Sequence, residues 1–151
     1  EGEPKLAFDK AMSLSNKKSM TLSDQFCVER HKDSFLDLVK NKLDVTFANE
    51  QEIKSLINTN NFDEIVTFGK QLGSLLIITR GEKGSIAIKN NDVTECTARH
   101  DLRIVDLTGA GDLFAAGFLH GFINGFSTKE SLKKGTEMSS IIIQKIGARL
   151  N

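Results

Sequence analysis

The run Leu75-Leu76-Ile77-Ile78-Thr79 decides the fold class of this sequence. Its apolar residues follow one another without alternating with polar ones, which is typical of a parallel strand buried on both faces. Outward from this run, strands and helices alternate along most of the chain. Strands are predicted over 19–23, 44–48 and 103–106, and helices over 28–42, 50–58, 62–72 and 112–124. This alternation predicts an α/β domain with a mostly parallel sheet and helices on both faces.

The remaining segments fit the same architecture. A helix is predicted from Pro4 to Leu14, and a hairpin over 85–89 and 93–98. A last helix begins after Ser127 or Thr128 and runs to about Lys145. Gly73 and Gly125 are interpreted as helix C-caps. Four phenylalanines in and just after the predicted helix over 112–124 recur every four residues and are interpreted as a core stripe: Phe114, Phe118, Phe122 and Phe126.

The composition excludes several classes of protein. The 151 residues carry 20 basic and 20 acidic side chains, so the net charge is zero and nucleic-acid binding by bulk charge is not expected. No window approaches the roughly 18 apolar residues that span a bilayer, and no secretory signal is expected, so we expect a cytoplasmic protein without membrane partners. Cys27 and Cys96 lack metal spacing and are expected to be reduced thiols. The chain opens without Met, and we expect an excerpt of a longer protein.

The segment Asp106-Leu-Thr-Gly-Ala-Gly-Asp112 carries most of the chemistry. Small residues before an apolar helix let backbone amides approach an anion, and the helix N-terminus adds positive partial charge. Asp112 stands beside this cradle, where a carboxylate can accept a proton from a hydroxyl. The alternative is an N-capping Asp after a flexible turn. Neither the dinucleotide Gly-x-Gly-x-x-Gly pattern nor a Walker A loop is present.

The longer stretch Asp106-Leu-Thr-Gly-Ala-Gly-Asp-Leu-Phe-Ala-Ala-Gly-Phe-Leu119 resembles the C-terminal signature of the ribokinase-like (PfkB) family of carbohydrate and nucleoside kinases. Further stretches agree in order and spacing: Asn49-Glu-Gln-Glu52 resembles an Asn-x-x-Glu motif, Thr79-Arg-Gly-Glu-Lys-Gly84 a nucleotide loop, and Ile146-Gly-Ala-Arg149 a small-residue segment. The stretch 23–31 is similar to the adenosine-kinase-like branch. The resemblance covers residues 1–151 but only the C-terminal half of such a kinase, without the N-terminal substrate and lid part.

The resemblance implies a partial ribokinase-like α/β/α domain with a mostly parallel sheet and a hairpin. It implies an ATP-dependent kinase acting on a primary hydroxyl of a sugar or nucleoside, with an adenosine- or ribose-like acceptor favoured and a homodimer left open. Asp112 would be the catalytic base, and the backbone of Gly109, Ala110 and Gly111 the anion hole. Asn49 would bind nucleotide phosphate, and Glu52 would hold Mg²⁺ through water.

The resemblance also assigns the rest of the nucleotide site. Thr79, Gly81 and Gly84 would line the nucleotide. Thr136 stands near the place where many relatives carry an Asn beside the base. Asp106 and Thr108 would help hold a monovalent cation, such as K⁺, with carbonyls near Gly147.

Structural roles remain open for the same residues. Asn49 and Glu52 also fit a reciprocal helix cap, and residues 79–84 fit a hairpin turn. Arg80 and Lys83 fit either phosphate contacts or solvated loop charges. At the level of the whole chain, the alternatives are a nucleotide- or phosphate-binding fragment without turnover and an α/β domain with a degenerate site.

Overall fold

The computed structural model, which describes residues 2–149, places the predicted strand Leu75–Thr79 in the middle of a five-stranded sheet. Three neighbouring strands are parallel, and the last two form an antiparallel hairpin beside them. In spatial order the strands are β1 (Ser19–Thr21), β2 (Val45–Asn49), β3 (Leu75–Thr79), β4 (Ser85–Lys89) and β5 (Asp92–Cys96).

Helices cover both faces of this sheet, as predicted. They are α1 (Glu3–Leu14), α2 (Gln25–Arg30), α3 (Lys32–Asn41), α4 (Glu50–Ile57), α5 (Phe62–Gln71), α6 (Ala110–Ile123) and α7 (Thr128–Ile142). Residues of α2 to α5 form the core on one face, and residues of α6 and α7 form the core on the other. The chain therefore has the three-layer α/β/α architecture that the sequence indicated.

The burial of the central strand explains why its first four residues, 75–78, are all apolar. Leu76 and Ile78 belong to the core under α2 to α5, whereas Leu75 and Ile77 belong to the core under α6 and α7. Ile77 and Ile78 are fully buried, and each such side chain contributes roughly 1.5–3 kcal/mol through burial. A strand that packs against helices on both sides has no face left for polar residues.

The carboxyl ends of the three parallel strands meet at one edge of the sheet. Asn49, the last residue of β2, is in register with Thr79, the last residue of β3. Thr21 ends β1 on the same side. Ligands of open α/β sheets bind outside this edge, so we expect the functional site there.

The predicted helix over 28–42 is wrong: two helices, α2 and α3, occupy this region and meet at His31. The break falls in the polar run 29–34, where no apolar side chain anchors the helix to the core. The prediction that Gly73 is a C-cap is also wrong. α5 ends because Leu72 takes an extended conformation and turns into the core.

The predicted strand over 103–106 is absent. The amides of Val105 and Asp106 both donate to the carbonyl of Ile143, just after α7, so this segment has no strand partner among residues 2–149. The phenylalanine stripe is confirmed only in part. Phe114 and Phe118 are buried, but Phe122 and Phe126 are 40% and 46% exposed. Steps of four residues drift about 40° each around a helix, which carries Phe122 away from the core, and Phe126 lies beyond the end of α6 at Ile123.

Other bounds differ slightly. β1 ends at Thr21 rather than Ser23, and β5 is Asp92–Cys96 rather than 93–98. α6 begins two residues before Asp112, and α7 ends at Ile142 rather than Lys145. Among the described helices, none has the length and apolar content needed to cross a bilayer.

Candidate active site

A cavity of about 380 Å³ lies between the carboxyl edge of the sheet and the start of α6. Seven residues singled out from the sequence line it together: Asn49, Glu52, Thr79, Gly109, Ala110, Gly111 and Asp112. They come from three distant parts of the chain. The fold brings them together because β2 and β3 end at this edge and α6 begins across from it.

The start of α6 is open to the cavity. Gly109 takes a left-handed conformation with φ of 78°, and no side chain caps the helix. The first helical hydrogen bond runs from the Leu113 amide to the Gly109 carbonyl at 2.9 Å, so the amides of Gly111 and Asp112 precede the helical ladder. Donors left over at a helix N-terminus, next to the positive end of its dipole, suit an anion.

The two glycines of this turn are needed for different reasons. A Cβ on Gly109 would lie 2.8 Å from the Cβ of Ala148, so a side chain there would meet the segment after α7. A Cβ on Gly111 would meet nothing within 4 Å. The space beside Gly111 therefore belongs to the cavity, and the fold alone does not require glycine at this position.

Asp112 lies at the mouth of this turn. Its side chain is exposed and lines the cavity. Within residues 2–149 its carboxylate takes part in no hydrogen bond and no ion pair. It does not cap α6 either, so the interpretation of Asp112 as a simple N-cap is wrong. A carboxylate in this state can accept a proton from a hydroxyl placed in the cavity.

Asn49 and Glu52 form a complete capping box at the start of α4. The Asn49 side chain accepts from the Glu52 amide at 2.8 Å, and the Glu52 carboxylate accepts from the Asn49 amide at 2.9 Å. The Asn49 side-chain amide also donates to the same carboxylate at 2.7 Å. The structural role weighed from the sequence is thus present, and it places both side chains on the cavity wall.

Glu52 is an unusual capping residue because it is only 5% exposed. Burial raises the pKa of its carboxyl, the hydrogen bond from the Asn49 backbone opposes this rise, and the charge of Asp24 adds to it. Neither Glu52 nor Asp24 forms an ion pair with the described residues. The Glu52 carboxyl on the cavity wall therefore has no cationic partner among the described residues, and a cation bound beside it would favour its ionised form.

This donor set fits a magnesium ion held mostly by water. The part of the chain that the structure describes contains no group of three His, Cys, Asp or Glu side chains that could hold a metal. Mg²⁺ keeps several waters and takes one or two protein carboxylates together with substrate phosphates. The lone buried carboxylate of Glu52 suits that pattern and does not suit a full protein cage.

Asp106 and Thr108 do not line this cavity. The Asp106 carboxylate accepts from the Thr108 amide and hydroxyl at 2.9 and 2.7 Å, and from the Gly147 amide at 2.8 Å. These bonds, led by the Thr108 hydroxyl, lower the pKa of Asp106. The structure brings together the three residues named for a monovalent cation, and in it they fasten the turn before α6 to the segment after α7.

A second cavity, of about 710 Å³, adjoins the first and shares Thr79, Ala110 and Gly111 with it. The remaining residues predicted to line a nucleotide all lie on its wall: Gly81, Gly84 and Thr136. A Cβ on Gly84 would lie 2.0 Å from the Cys96 carbonyl oxygen, so only glycine lets the loop pass β5. Residues 80–84 are also a hairpin-type turn, since the Arg80 amide donates to the Gly84 carbonyl at 2.8 Å.

Sequence reasoning missed much of this second wall. The loop after β5 contributes Ala98 to Leu102, including His100, and α7 contributes Ser139 and Ser140. Ser85 also lines the cavity, and its buried hydroxyl has no hydrogen-bond partner in the described part of the chain. The polar run Arg99-His100-Asp101 indicates a loop but not which cavity that loop will line. The α7 serines gave no signal, because their spacing is that of an ordinary helix face.

The sequence is similar to those of known kinases. The sequence matches the pfkB family of carbohydrate kinases over residues 7–151. It is 28% identical to a nucleoside kinase of Methanocaldococcus jannaschii over 80% of this chain and 39% of that protein.

Solved structures resemble it closely in fold. An adenosine kinase from Sinorhizobium meliloti superposes with a TM-score of 0.91 at 36% identity, covering 97% of this chain and 46% of that one. A probable sugar kinase from Rhizobium etli does so with 0.91 at 37% identity and the same coverage. The chain thus spans less than half the length of these relatives.

Proposed function

The chain belongs to the pfkB family of carbohydrate kinases, and we propose that it is the nucleotide-binding and catalytic-base part of an ATP-dependent sugar or nucleoside kinase. The observation that carries the proposal is the meeting of three features in one cavity: the uncapped start of α6, the unpaired carboxylate of Asp112 and the buried carboxylate of Glu52. Phosphoryl transfer needs positioning and charge stabilisation more than covalent help from the protein, and this arrangement supplies both.

The adjoining cavities suggest how ATP would lie. The larger cavity, bounded by the loop at 79–84 and by α7, has the room for the nucleoside portion. The shared wall at Ala110 and Gly111 leads into the smaller cavity. In this pose the transferred phosphoryl group reaches the amides at the start of α6.

Each named residue then has a defined task. The Asp112 carboxylate accepts the proton of the acceptor's primary hydroxyl while the hydroxyl oxygen attacks the γ-phosphorus of ATP and ADP leaves. The backbone at Gly109, Ala110 and Gly111 takes up negative charge on the transferred group. Asn49 and Glu52 would hold a Mg²⁺ ion through water, and the ion would supply positive charge to the phosphates. Asp106 and Thr108 hold the turn before α6. A K⁺ ion bound beside them would add positive charge behind this turn.

The acceptor is a sugar or a nucleoside. An adenosine kinase and a probable sugar kinase resemble this chain equally well in structure, so both acceptor classes are compatible with this half of the fold. An adenosine- or ribose-like acceptor is favoured by the similarity of residues 23–31 to the adenosine-kinase-like branch. The acceptor pocket and the cover that excludes water are assigned to a part of the kinase outside these 151 residues.

The test combines two measurements. Calorimetry of the 151-residue chain with ATP and Mg²⁺ is expected to show saturable binding. The corresponding longer kinase is expected to phosphorylate a sugar or a nucleoside from a panel. The control is the deoxy form of the same acceptor, in which hydrogen replaces the primary hydroxyl, and it is expected not to be phosphorylated.

The outcomes separate the candidate functions. Binding by the chain without any transfer by the longer protein would favour a nucleotide-binding module without turnover. Absence of both would indicate an α/β domain with a degenerate site and would overturn the proposal.

A further inference from the structure

Arg80 is the one residue of the loop 79–84 whose large side chain is neither in the cavity nor in solvent. Thr79, Gly81 and Gly84 line the larger cavity, and Arg80 does not. Its side chain is only 18% exposed. Arg80 is therefore not the solvated loop charge weighed from the sequence, and its side chain does not line the cavity proposed for the nucleotide.

The guanidinium instead packs against three elements on the far side of the loop. Its Nε lies 3.4 Å from a Glu50 carboxylate oxygen, at the first residue of α4. Its central carbon lies 3.9 Å from the ring centroid of Phe62, the first residue of α5. A longer approach of 3.9 Å reaches Glu95 on β5, which is mostly exposed.

Glu50 is itself held in place for this contact. Lys54 donates to one of its carboxylate oxygens at 2.7 Å, one helical turn away, and leaves the other oxygen to Arg80. The hydrogen bond from Lys54, followed by its charge and by Arg80, lowers the pKa of Glu50, so the carboxylate is ionised at neutral pH. All three charged side chains are less than 20% exposed, which reduces screening by solvent.

The backbone of Arg80 meanwhile shapes the loop. Its amide donates to the Gly84 carbonyl at 2.8 Å, and its carbonyl accepts from the Lys83 amide at 3.1 Å. One residue thus closes the loop through its backbone and anchors that loop to α4 and α5 through its side chain. Glu50 directly follows Asn49, so the anchor joins the loop to the helix start that carries the Asn49–Glu52 cap.

We propose that Arg80 is a positioning residue for the nucleotide: it fixes the loop 79–84 relative to the start of α4 without touching the nucleotide itself. The inference rests on the proposed function for the identity of the ligand. Lysine cannot replace it fully, since an ammonium keeps the attraction to Glu50 but lacks the flat guanidinium that stacks on the Phe62 ring.

The first test needs no ligand. Amide hydrogen exchange is measured at Lys83 and Gly84 in wild type, Arg80→Met and Arg80→Lys, with Ile77 in the buried strand β3 as the reference for global opening. Arg80→Met is expected to speed exchange in the loop about tenfold, with Arg80→Lys in between. Equal acceleration at Ile77 and Gly84 would mean that Arg80 supports the whole fold, and unchanged loop exchange would mean that it anchors nothing; either result overturns the proposal.

The second test uses ATP with Mg²⁺ and a control from the same loop. Lys83→Met removes the same charge from an exposed side chain that lines neither cavity and forms no ion pair with the described residues, although its charge also acts on Glu50. Arg80→Met is expected to weaken ATP binding about tenfold, whereas Lys83→Met leaves it within about twofold. Equal losses in the two variants would assign the effect to loop charge and contradict the positioning role. If wild type binds no ATP, the proposed function fails, and the exchange comparison still decides whether Arg80 anchors the loop.

Discussion

The starts of α6 and α7 differ although the two helices pack against each other on the same face of the sheet. Each carries an acid at its third position, Asp112 in α6 and Glu130 in α7. Glu130 accepts from the Ser127 amide and hydroxyl at 2.9 and 2.6 Å and completes a capping box. Asp112 makes no such bond and faces a cavity. The start of α7 is capped by its own side chains. At the start of α6 the backbone amides and the Asp112 carboxylate have no such partners and are free to contact a ligand.

This difference shows what a local motif does and does not reveal. An acid in the first turn of a helix is favourable in both places because of the helix dipole. Only the surrounding residues distinguish an acid that caps a helix from an acid that is available to react with a ligand. Asp112 lies where parallel strands end and a neighbouring helix carries a second carboxylate, whereas Glu130 lies on an exposed surface.

The largest effect is expected at Asp112. In the longer kinase, Asp112→Asn should lower kcat by about 10²–10⁴-fold, because the amide cannot accept the acceptor's proton. ATP affinity should change by less than about twofold. The matched variant Glu130→Gln should leave kcat unchanged, and steady-state kinetics checks both. Equal turnover in wild type and Asp112→Asn would remove the assigned role.

Gly111 gives the next largest effect. Gly111→Val places a side chain in the space where phosphoryl oxygens are expected and should weaken binding of ATP by about tenfold or more. The free protein should keep its stability within about 1 kcal/mol, since nothing lies within 4 Å of the added Cβ. Calorimetry and thermal unfolding measure the two quantities.

Thr128→Val, in the first turn of α7, is the control for Gly111→Val. It should leave ATP affinity unchanged. If Gly111→Val bound ATP as tightly as wild type, the amides at the start of α6 would not be the anion site.

Ser127 tests the self-satisfied start of α7. Ser127→Ala removes the hydroxyl that accepts from the Glu130 amide and should cost about 1 kcal/mol of stability, as the loss of an N-cap typically does. Binding of ATP should not change. Urea unfolding gives the stability, and Ser127→Thr, which retains the capping hydroxyl, should keep most of it. A loss of ATP affinity in Ser127→Ala would show that the two helix starts are not independent.

The smallest effect is expected on the stability contribution of Glu130 at acidic pH. Hydrogen bonds from Ser127, the hydroxyl first, hold the pKa of Glu130 below its ordinary value of 4.5. Because a lowered pKa means that folding favours the ionised form, this stabilisation is complete above about pH 4.5 and is lost as pH falls through the folded-state value. The stability difference between wild type and Glu130→Gln should therefore shrink below that pH. A difference that stays constant down to pH 2.5 would argue against the bond.

Much of the fold was predictable because its signals are local. The apolar run at 75–79, the cap residues Asn49 and Ser127 and the turn at Asn90 each act over a few residues, and the structure has all of them. The strand expected over 103–106 failed because a strand needs a partner. That segment bonds to Ile143 instead, and sequence patterning does not specify which neighbour a chain segment will meet.

The candidate site divides in the same way. Residues 109–112, Asn49 and Glu52 stand out by residue type and spacing, and the fold places them around one cavity. The burial of Glu52 and the inward turn of Arg80 could not be foreseen. Both depend on which helices cover the residue, and His100 and Ser140 reach the second cavity only through the packing of separate segments.

Amide NMR titration of the chain with ATP and Mg²⁺ compares the two helix starts directly. Saturable shifts are expected at Gly109, Gly111 and Asp112, and none at Lys129 and Glu130. Saturable binding that leaves the amides of 109–112 unperturbed would contradict the claim that the open start of α6 receives the phosphoryl group.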